Sequence, residues 1–117
     1  MNLENENELE ARIDLPYNPS LDHALGGIHG GIYSTMIDNA AWFVSAAISP
    51  LSTWVATSDL SIRLLEPVSE SHLYSIGKTI KRGKRIIVAK SDLFNKFDKL
   101  VGTGTGSFVV LGINSKV

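Results

Sequence analysis

One long apolar segment, from about His29 to Ile48, constrains the fold of this 117-residue chain more than any other feature. Its apolar residues recur three and four positions apart, which predicts a helix, and they occupy almost every side of it. They are Ile32, Tyr33, Met36, Ile37, Ala40, Ala41, Phe43, Val44, Ala47 and Ile48. Because such a helix is stable only when it is buried, the rest of the chain has to cover it.

The rest of the chain shows the alternation of apolar and polar residues that is typical of strands. A first strand is predicted over 8–15, and four more over 53–65, 71–81, 85–94 and 99–111. Turn-type residues separate these four, so we expect consecutive strands to be antiparallel neighbours. The predicted fold class is α+β, with one antiparallel sheet wrapped around a long central helix. We expect a single domain over 1–117, with residues 1–7 lacking ordered structure.

Composition and charge exclude several function classes. The chain has no cysteine, which removes disulfides, thiolate zinc sites and a cysteine nucleophile. A net charge of −1 gives no overall basic field for nucleic acid or an anionic membrane. The N-terminal residues lack the pattern of a secretory signal, and the histidines lack metal-ligand spacing. We therefore expect a cytoplasmic protein with no metal, nucleic-acid or membrane partner.

The residue pattern at the start of the helix points to acyl-transfer chemistry. Gly30 and Gly31 leave backbone N–H groups uncovered where the helix dipole is positive, a position suited to the oxyanion of an attacked carbonyl. Asp38 is a carboxylate in an otherwise apolar helix, where burial would have to be offset, and such groups concentrate at functional sites. Glycines alone could simply allow a tight entry into the helix. Together with Asp38 they predict a catalytic site with Asp38 as its base.

The spacing of these groups predicts a dimer. Gly30 and Asp38 are eight residues apart, which separates their backbones by roughly 12 Å along one helix. Both groups must come within about 3 Å of the reacting atom, which one helix cannot achieve. Two antiparallel copies of the helix can bring Gly30 of one chain to Asp38 of the other. We expect a homodimer, or a dimer of dimers, with two equivalent sites at the interface.

The motifs resemble the hotdog-fold acyl-CoA thioesterases of the phenylacetate-degradation (PaaI-like) type. The resemblance rests on four segments, which are His29-Gly30-Gly31 with Asp38-Asn39-Ala40, Leu64-Leu65-Glu66-Pro67, the basic turn at Gly83 and Phe108-Val109-Val110. It implies a hotdog fold in which Gly30 polarises the thioester carbonyl and Asp38, from the partner chain, is base or nucleophile. It also implies that the Thr57 hydroxyl helps to hold the water.

Two positions depart from the family pattern. His23 stands where several relatives have an asparagine, and its ring can still donate a hydrogen bond. Strand alternation directs Leu60 and Ile62 toward the helix and Thr57 away from it. Thr57 can therefore reach the site only across the dimer seam or through a β-bulge, and Ser58 is a competing candidate.

The expected substrate is an acyl-CoA, and no separate cofactor is expected. The residues predicted to bind it are His29, Gly31, Tyr33, Asn39, Ser58, Arg82, Lys84 and Arg85. An acyl pocket between the paired helices, lined by Tyr33, Ile37, Trp42 and Trp54, favours an aromatic or medium-chain acyl group. The basic turn at 81–85 either binds the phosphates of CoA or is an ordinary solvated hairpin turn.

Other interpretations stay open at this stage. His29 with Asp38 could serve an acyl-thioester hydratase or dehydratase, and a non-catalytic acyl-CoA-binding module would need no reaction at all. Gly102, Gly104 and Gly106 do not form a dinucleotide fingerprint because no helix follows them, and they instead predict close packing against this strand. His72 is expected at the surface.

Overall fold

The computed structural model describes residues 9–18, 30–68 and 71–112. These residues form a helix and five strands in the order β1 (Glu10–Leu15), α1 (Gly30–Ala47), β2 (Thr53–Leu64), β3 (Leu73–Arg82), β4 (Ile86–Asn95) and β5 (Leu100–Gly112). Each predicted element is present, with ends within two residues of the predicted ones. The predicted α+β architecture, a single antiparallel sheet packed on one long helix, is confirmed.

The strands follow the order β1-β3-β4-β5-β2 across the sheet. Hairpins join β3 to β4 and β4 to β5 as predicted, but the expectation that β2 and β3 are neighbours is wrong. β2 pairs with β5 at the sheet edge, and just past its end the N–H of Leu65 still donates to the Val101 carbonyl of β5 at 2.9 Å. The chain then returns to β3, with β5 and β4 lying between β2 and β3 in the sheet. The residues between Leu64 and Leu73 make this connection.

The core lies between α1 and the sheet in two clusters. The first, around the C-terminal half of α1, contains Leu9, Ala41, Val44, Ile48, Val55, Ile87, Ala89 and Phe108. The second, around its N-terminal half, contains Tyr33, Met36, Ile37, Val68, Leu73, Leu93 and Val101. Both clusters draw on the same face of α1, so the helix is fixed to the sheet along its whole length. No helix in the described part of the chain is long and apolar enough to cross a membrane.

Glycines let the helix approach the sheet closely, as predicted for β5. A Cβ built on Gly104 would lie 2.6 Å from Cγ2 of Ile37. The tightest approach is on β3, where a Cβ on Gly77 would lie 2.2 Å from the backbone oxygen of Ala40. At Gly77 the helix backbone itself rests on the strand, which leaves no space for any side chain.

The sheet covers one face of α1 and leaves the opposite side open. The expectation of a helix buried all round is therefore wrong for the single chain, because one sheet reaches only one helix face. We call the uncovered positions the open stripe, and they are Gly31, Thr35, Asn39, Phe43 and Ala47. Phe43, which is 49% exposed, is the one large aromatic side chain of this stripe.

Replacing Tyr33 with phenylalanine tests how the buried hydroxyl contributes to stability. Tyr33 is buried, and its hydroxyl donates to the Glu66 carbonyl at 3.1 Å. We expect Tyr33→Phe to lower the free energy of unfolding by about 1 kcal/mol at pH 7, the contribution of one such bond. Denaturant unfolding at fixed protein concentration measures the difference, and a Tyr33→Phe chain as stable as wild type would contradict it.

The same variant has an alkaline signature. Burial raises the pKa of Tyr33 above its ordinary value near 10. A raised folded-state pKa gives stability that is fully present below the unfolded pKa and is lost as pH rises through the folded one. We therefore expect wild type to lose stability above about pH 10 by more than Tyr33→Phe does.

Candidate functional site

Asp38 contacts a hydroxyl on the edge strand of its own chain. It lies midway along α1, half-buried beside the open stripe, and its Oδ1 accepts a hydrogen bond from Thr57 Oγ1 at 3.0 Å. Asp38 is less buried than the apolar sequence around it suggests, because it points along the sheet edge and not into the core. The contact joins a carboxylate and a hydroxyl that are predicted to belong to the same site.

A β-bulge makes this contact possible. The pairing of β2 with β5 shifts between Thr57 and Asp59, so Ser58 is the extra residue. Val55 and Thr57 face the helix before the bulge, and Leu60 faces it afterwards, because one inserted residue reverses the alternation. Of the two routes predicted for Thr57, the structure shows the bulge. Ser58, the competing candidate, is exposed at the bulge.

A second hydrogen bond joins α1 to the same strand. Trp42, one turn after Asp38, donates its indole N–H to the Val55 carbonyl at 2.7 Å. Its ring meets Phe43 edge to face, with ring centres 5.0 Å apart. The sequence pattern predicts Trp42 in an acyl pocket and does not predict this bond. Only the four-residue spacing from Asp38 could have indicated that both side chains point toward one element.

Three other residues of the predicted acyl pocket are not on the open side of the helix. Tyr33 and Ile37 are buried in the core, so they do not line a pocket in the described chain. Trp54 is 61% exposed and precedes the inward-facing Val55, which places it on the opposite face of the sheet. The carbonyl of Glu66 explains how a tyrosine can be buried, since it accepts the hydrogen bond of the phenol.

The glycine pair stands at the start of α1 as predicted. Gly30 is the first helical residue, Gly31 is exposed, and Asn39 is exposed on the same open stripe. The first N–H groups of a helix have no hydrogen-bond partner within the helix, so any partner they bind comes from outside it. His23 and His29 lie outside the described residues, and the roles predicted for them stay predictions.

The basic turn between β3 and β4 is exposed. Lys81, Arg82, Lys84 and Arg85 all present their side chains to solvent, and the Gly83 N–H closes the turn on the Ile86 carbonyl at 2.8 Å. Strand pairing places Arg82 in one row with Thr57, three strand spacings away, or roughly 14 Å across the sheet. The turn is therefore separate from Asp38 but at the same level of the sheet.

A cleft of about 450 Å³ lies at the other edge of the sheet, where β1 ends. Its lining includes Asp14, Tyr17 and the exposed His72, which is at the surface as predicted. The Arg12 guanidinium, hydrogen-bonded to Asp14 at 3.0 Å, lowers the pKa of that carboxyl. The cleft and the Asp38–Thr57 pair are at opposite edges of the sheet. Among the described residues, no group of three or more acidic or histidine side chains is placed to hold a metal ion.

Comparison with known proteins shows which family this chain resembles. The family model described as the thioesterase superfamily matches residues 25–101. A predicted esterase from Halobacterium salinarum is 29% identical over 120 residues, covering 94% of this chain and 80% of that protein.

Solved structures give the same result for the fold. A thioesterase from Haemophilus influenzae superposes with a TM-score of 0.88 at 17% identity, covering 93% of this chain and 76% of that one. A Bacillus halodurans protein solved with CoA has a TM-score of 0.81 at 30% identity, over 86% of this chain and 66% of that one. The PaaI protein from the phenylacetic acid degradation operon of E. coli has a TM-score of 0.80 at 18% identity, over 88% and 73%.

The hotdog fold expected from the sequence resemblance is thereby confirmed, and PaaI is among the structures that share it. The family model covers about two thirds of the chain, including Gly30, Asp38, Thr57 and the basic turn. This chain belongs to the thioesterase superfamily, whose members hydrolyse acyl thioesters.

Proposed function

We propose that the chain hydrolyses an acyl-CoA with an aromatic or medium-chain acyl group, at a site shared by two copies. The observation that carries the proposal is the Asp38–Thr57 hydrogen bond on the open side of α1, in a chain of the thioesterase superfamily. The Bacillus halodurans relative solved with CoA supports CoA as the thiol part of the substrate. A cytoplasmic location stays a prediction from the sequence.

Asp38 can promote hydrolysis in two ways. As a base, it takes a proton from a water whose oxygen bonds to the thioester carbon, after which the C–S bond breaks and the thiolate leaves as CoA. As a nucleophile, it attacks the carbonyl itself, the C–S bond breaks to release CoA as the thiolate, and water then hydrolyses the resulting anhydride. In both routes the Thr57 hydroxyl orients Asp38 and can accept a hydrogen bond from water. Label in the Asp38 carboxylate after turnover in ¹⁸O-labelled water would identify the nucleophilic route, because it requires water to attack the Asp38 carbonyl of the anhydride.

The thioester carbonyl needs a donor that the same helix cannot supply. Gly30 is two turns away from Asp38 on α1, so we assign the polarising N–H to Gly30 of a second copy. His23 is assigned as a further donor to that carbonyl, and His29, Gly31 and Asn39 are assigned to substrate binding. A two-fold pairing of open stripes would bring Gly30 of one copy to Asp38 of the other.

The basic turn supplies cations for the CoA phosphates. Arg82, Lys84 and Arg85 are exposed, Arg82 lies in one row with Thr57, and guanidinium groups match phosphate oxygens well. Ser58 at the bulge is assigned to the acyl or pantetheine portion. Tyr33 is not assigned to substrate, because its side chain is buried.

A panel of acyl-CoA substrates tests the proposed reaction. We expect release of free CoA, followed with a thiol-trapping dye, with the highest kcat/KM for aromatic or medium-chain acyl groups. Mass spectrometry of the acyl product is the control that detects any change of the acyl chain other than hydrolysis of the thioester. A modified acyl chain without free CoA would indicate a hydratase, and binding with neither product would indicate a non-catalytic module.

Mixing two inactive variants tests whether two copies share each site. Asp38→Asn removes the base, while Gly30→Pro removes the N–H at the first helical position, where proline is tolerated. Each variant should be inactive alone. After subunit exchange, half of the dimers are mixed and each has one intact site, so we expect about a quarter of wild-type activity. No recovery despite verified exchange would show that each site lies within one chain.

A further inference from the structure

The two hydrogen bonds between α1 and β2 form a matched pair. Asp38 and Trp42 are one turn apart on the helix, or about 6 Å, while their partners Thr57 and Val55 are two residues apart on the strand, or about 6.6 Å. The helix and strand run in opposite directions along this seam. The Trp42 bond therefore fixes the strand at Val55, two residues before Thr57, which contacts Asp38.

The Trp42 bond acts at the edge of the sheet that one chain forms. β2 is an edge strand, and Val55 pairs with Val110 of β5. The N–H of Val110 bonds to Arg85, away from β2, so Val55 and Val110 form a non-hydrogen-bonded pair. The Val55 carbonyl then points out of the sheet, where the indole of Trp42 is its partner. Without that indole, the strand would be held at this position by its pairing with β5 and by the packing of the Val55 side chain in the core.

The bulge makes the position of Thr57 sensitive to this restraint. Thr57 is the last residue paired with β5 before the shift at Ser58, and bulges interrupt the ladder that keeps a strand rigid. Beyond its pairing with β5, Thr57 is fixed by its bond to Asp38 and by the restraint at Val55. Small displacements of a catalytic group have large effects on rate.

We propose that Trp42 is a positioning residue, whose indole N–H holds the edge of β2 so that the Thr57 hydroxyl stays on Asp38. This inference rests on the proposed function for its effect on turnover, but the structural link can be measured without it. Trp42 touches no reacting atom in this role. It acts through Val55 and Thr57, and its effect should disappear when the Thr57 hydroxyl is absent.

The structural link is tested by NMR. The best variant is Trp42→benzothienylalanine, which keeps the shape of the indole and replaces its N–H with sulfur. We expect it to change the ¹³C shift of the Asp38 carboxyl group in the same direction as Thr57→Val does. The same replacement at Trp54, exposed on the other face of the sheet, is the matched control and should leave that shift unchanged. An Asp38 shift unchanged by the Trp42 replacement would overturn the proposal.

The kinetic link is tested by a double-mutant cycle. We expect Trp42→benzothienylalanine to lower kcat about tenfold with KM changed less than about twofold. Combined with Thr57→Val, it should lower kcat no further than Thr57→Val alone, because both act through one contact. Additive losses, or a wild-type kcat, would overturn the role of Trp42 while leaving thioester hydrolysis intact. If wild type hydrolyses no acyl-CoA, the proposed function fails and the carboxyl shift alone decides the positioning role.

Discussion

Asp38→Asn is expected to lower kcat by about a hundredfold or more, the loss typical of removing a catalytic base or nucleophile. The amide keeps the shape of the side chain, and its oxygen can still accept the hydrogen bond from Thr57. The contact between α1 and β2 is therefore expected to survive while proton transfer and nucleophilic attack are lost. Initial rates with the best substrate of the acyl-CoA panel measure the effect.

Asp59→Asn is the matched control for this variant. Asp59 follows the bulge, is exposed, and pairs with Ser107. Asp59→Asn removes the same negative charge close to the site, but Asp59 has no role in the proposed chemistry. We therefore expect kcat to stay within about twofold of wild type. Asp38→Asn with a rate within tenfold of wild type would show that Asp38 is neither base nor nucleophile.

Much of the fold follows from periodicity in the sequence. The helix and all five strands were predictable because each changes its apolar repeat or ends at a proline, glycine or turn residue. The pairing of β2 with β5 was not predictable in this way. Alternation shows that a strand has an inner face, but it does not say which strand lies beside it.

The candidate site was predictable in its residues and only partly in its geometry. Asp38 was identified from the residue pattern and Thr57 from the family resemblance. Thr57 was expected to reach the site only across the dimer seam or through a bulge, because strict alternation turns it away from the helix, and its contact with Asp38 was not predicted. The Trp42 bond to Val55 was missed, since an indole N–H can meet any carbonyl within reach. Trp54 was misplaced because its aromatic character favoured a pocket, while strand parity decided its face.

The close contact of Gly77 with the helix is not evident from the sequence. Gly102, Gly104 and Gly106 attract notice as a group, whereas Gly77 stands alone in β3 and is the point of closest contact with the helix. A Cβ at Gly77 would lie 2.4 Å from the carbonyl carbon of Ala40 as well as 2.2 Å from its oxygen. Both atoms belong to the backbone of α1, so no change of rotamer can relieve the overlap.

Gly77→Ala is therefore expected to lower the free energy of unfolding by about 3 kcal/mol or more, at the upper end of overpacking effects. The helix must move off the sheet, which loosens the core clusters on both sides of Ala40 and shifts Asp38, two residues away. Denaturant unfolding at fixed protein concentration measures the loss, and kcat should fall in the fraction that remains folded. Gly102→Ala is the matched control, because its Cβ would meet the flexible end of Ile37 at 3.3 Å and should have an effect of less than about 1 kcal/mol. Equal stability of the two variants would mean that α1 does not rest on Gly77 and that the seam carrying Asp38 is free to adjust.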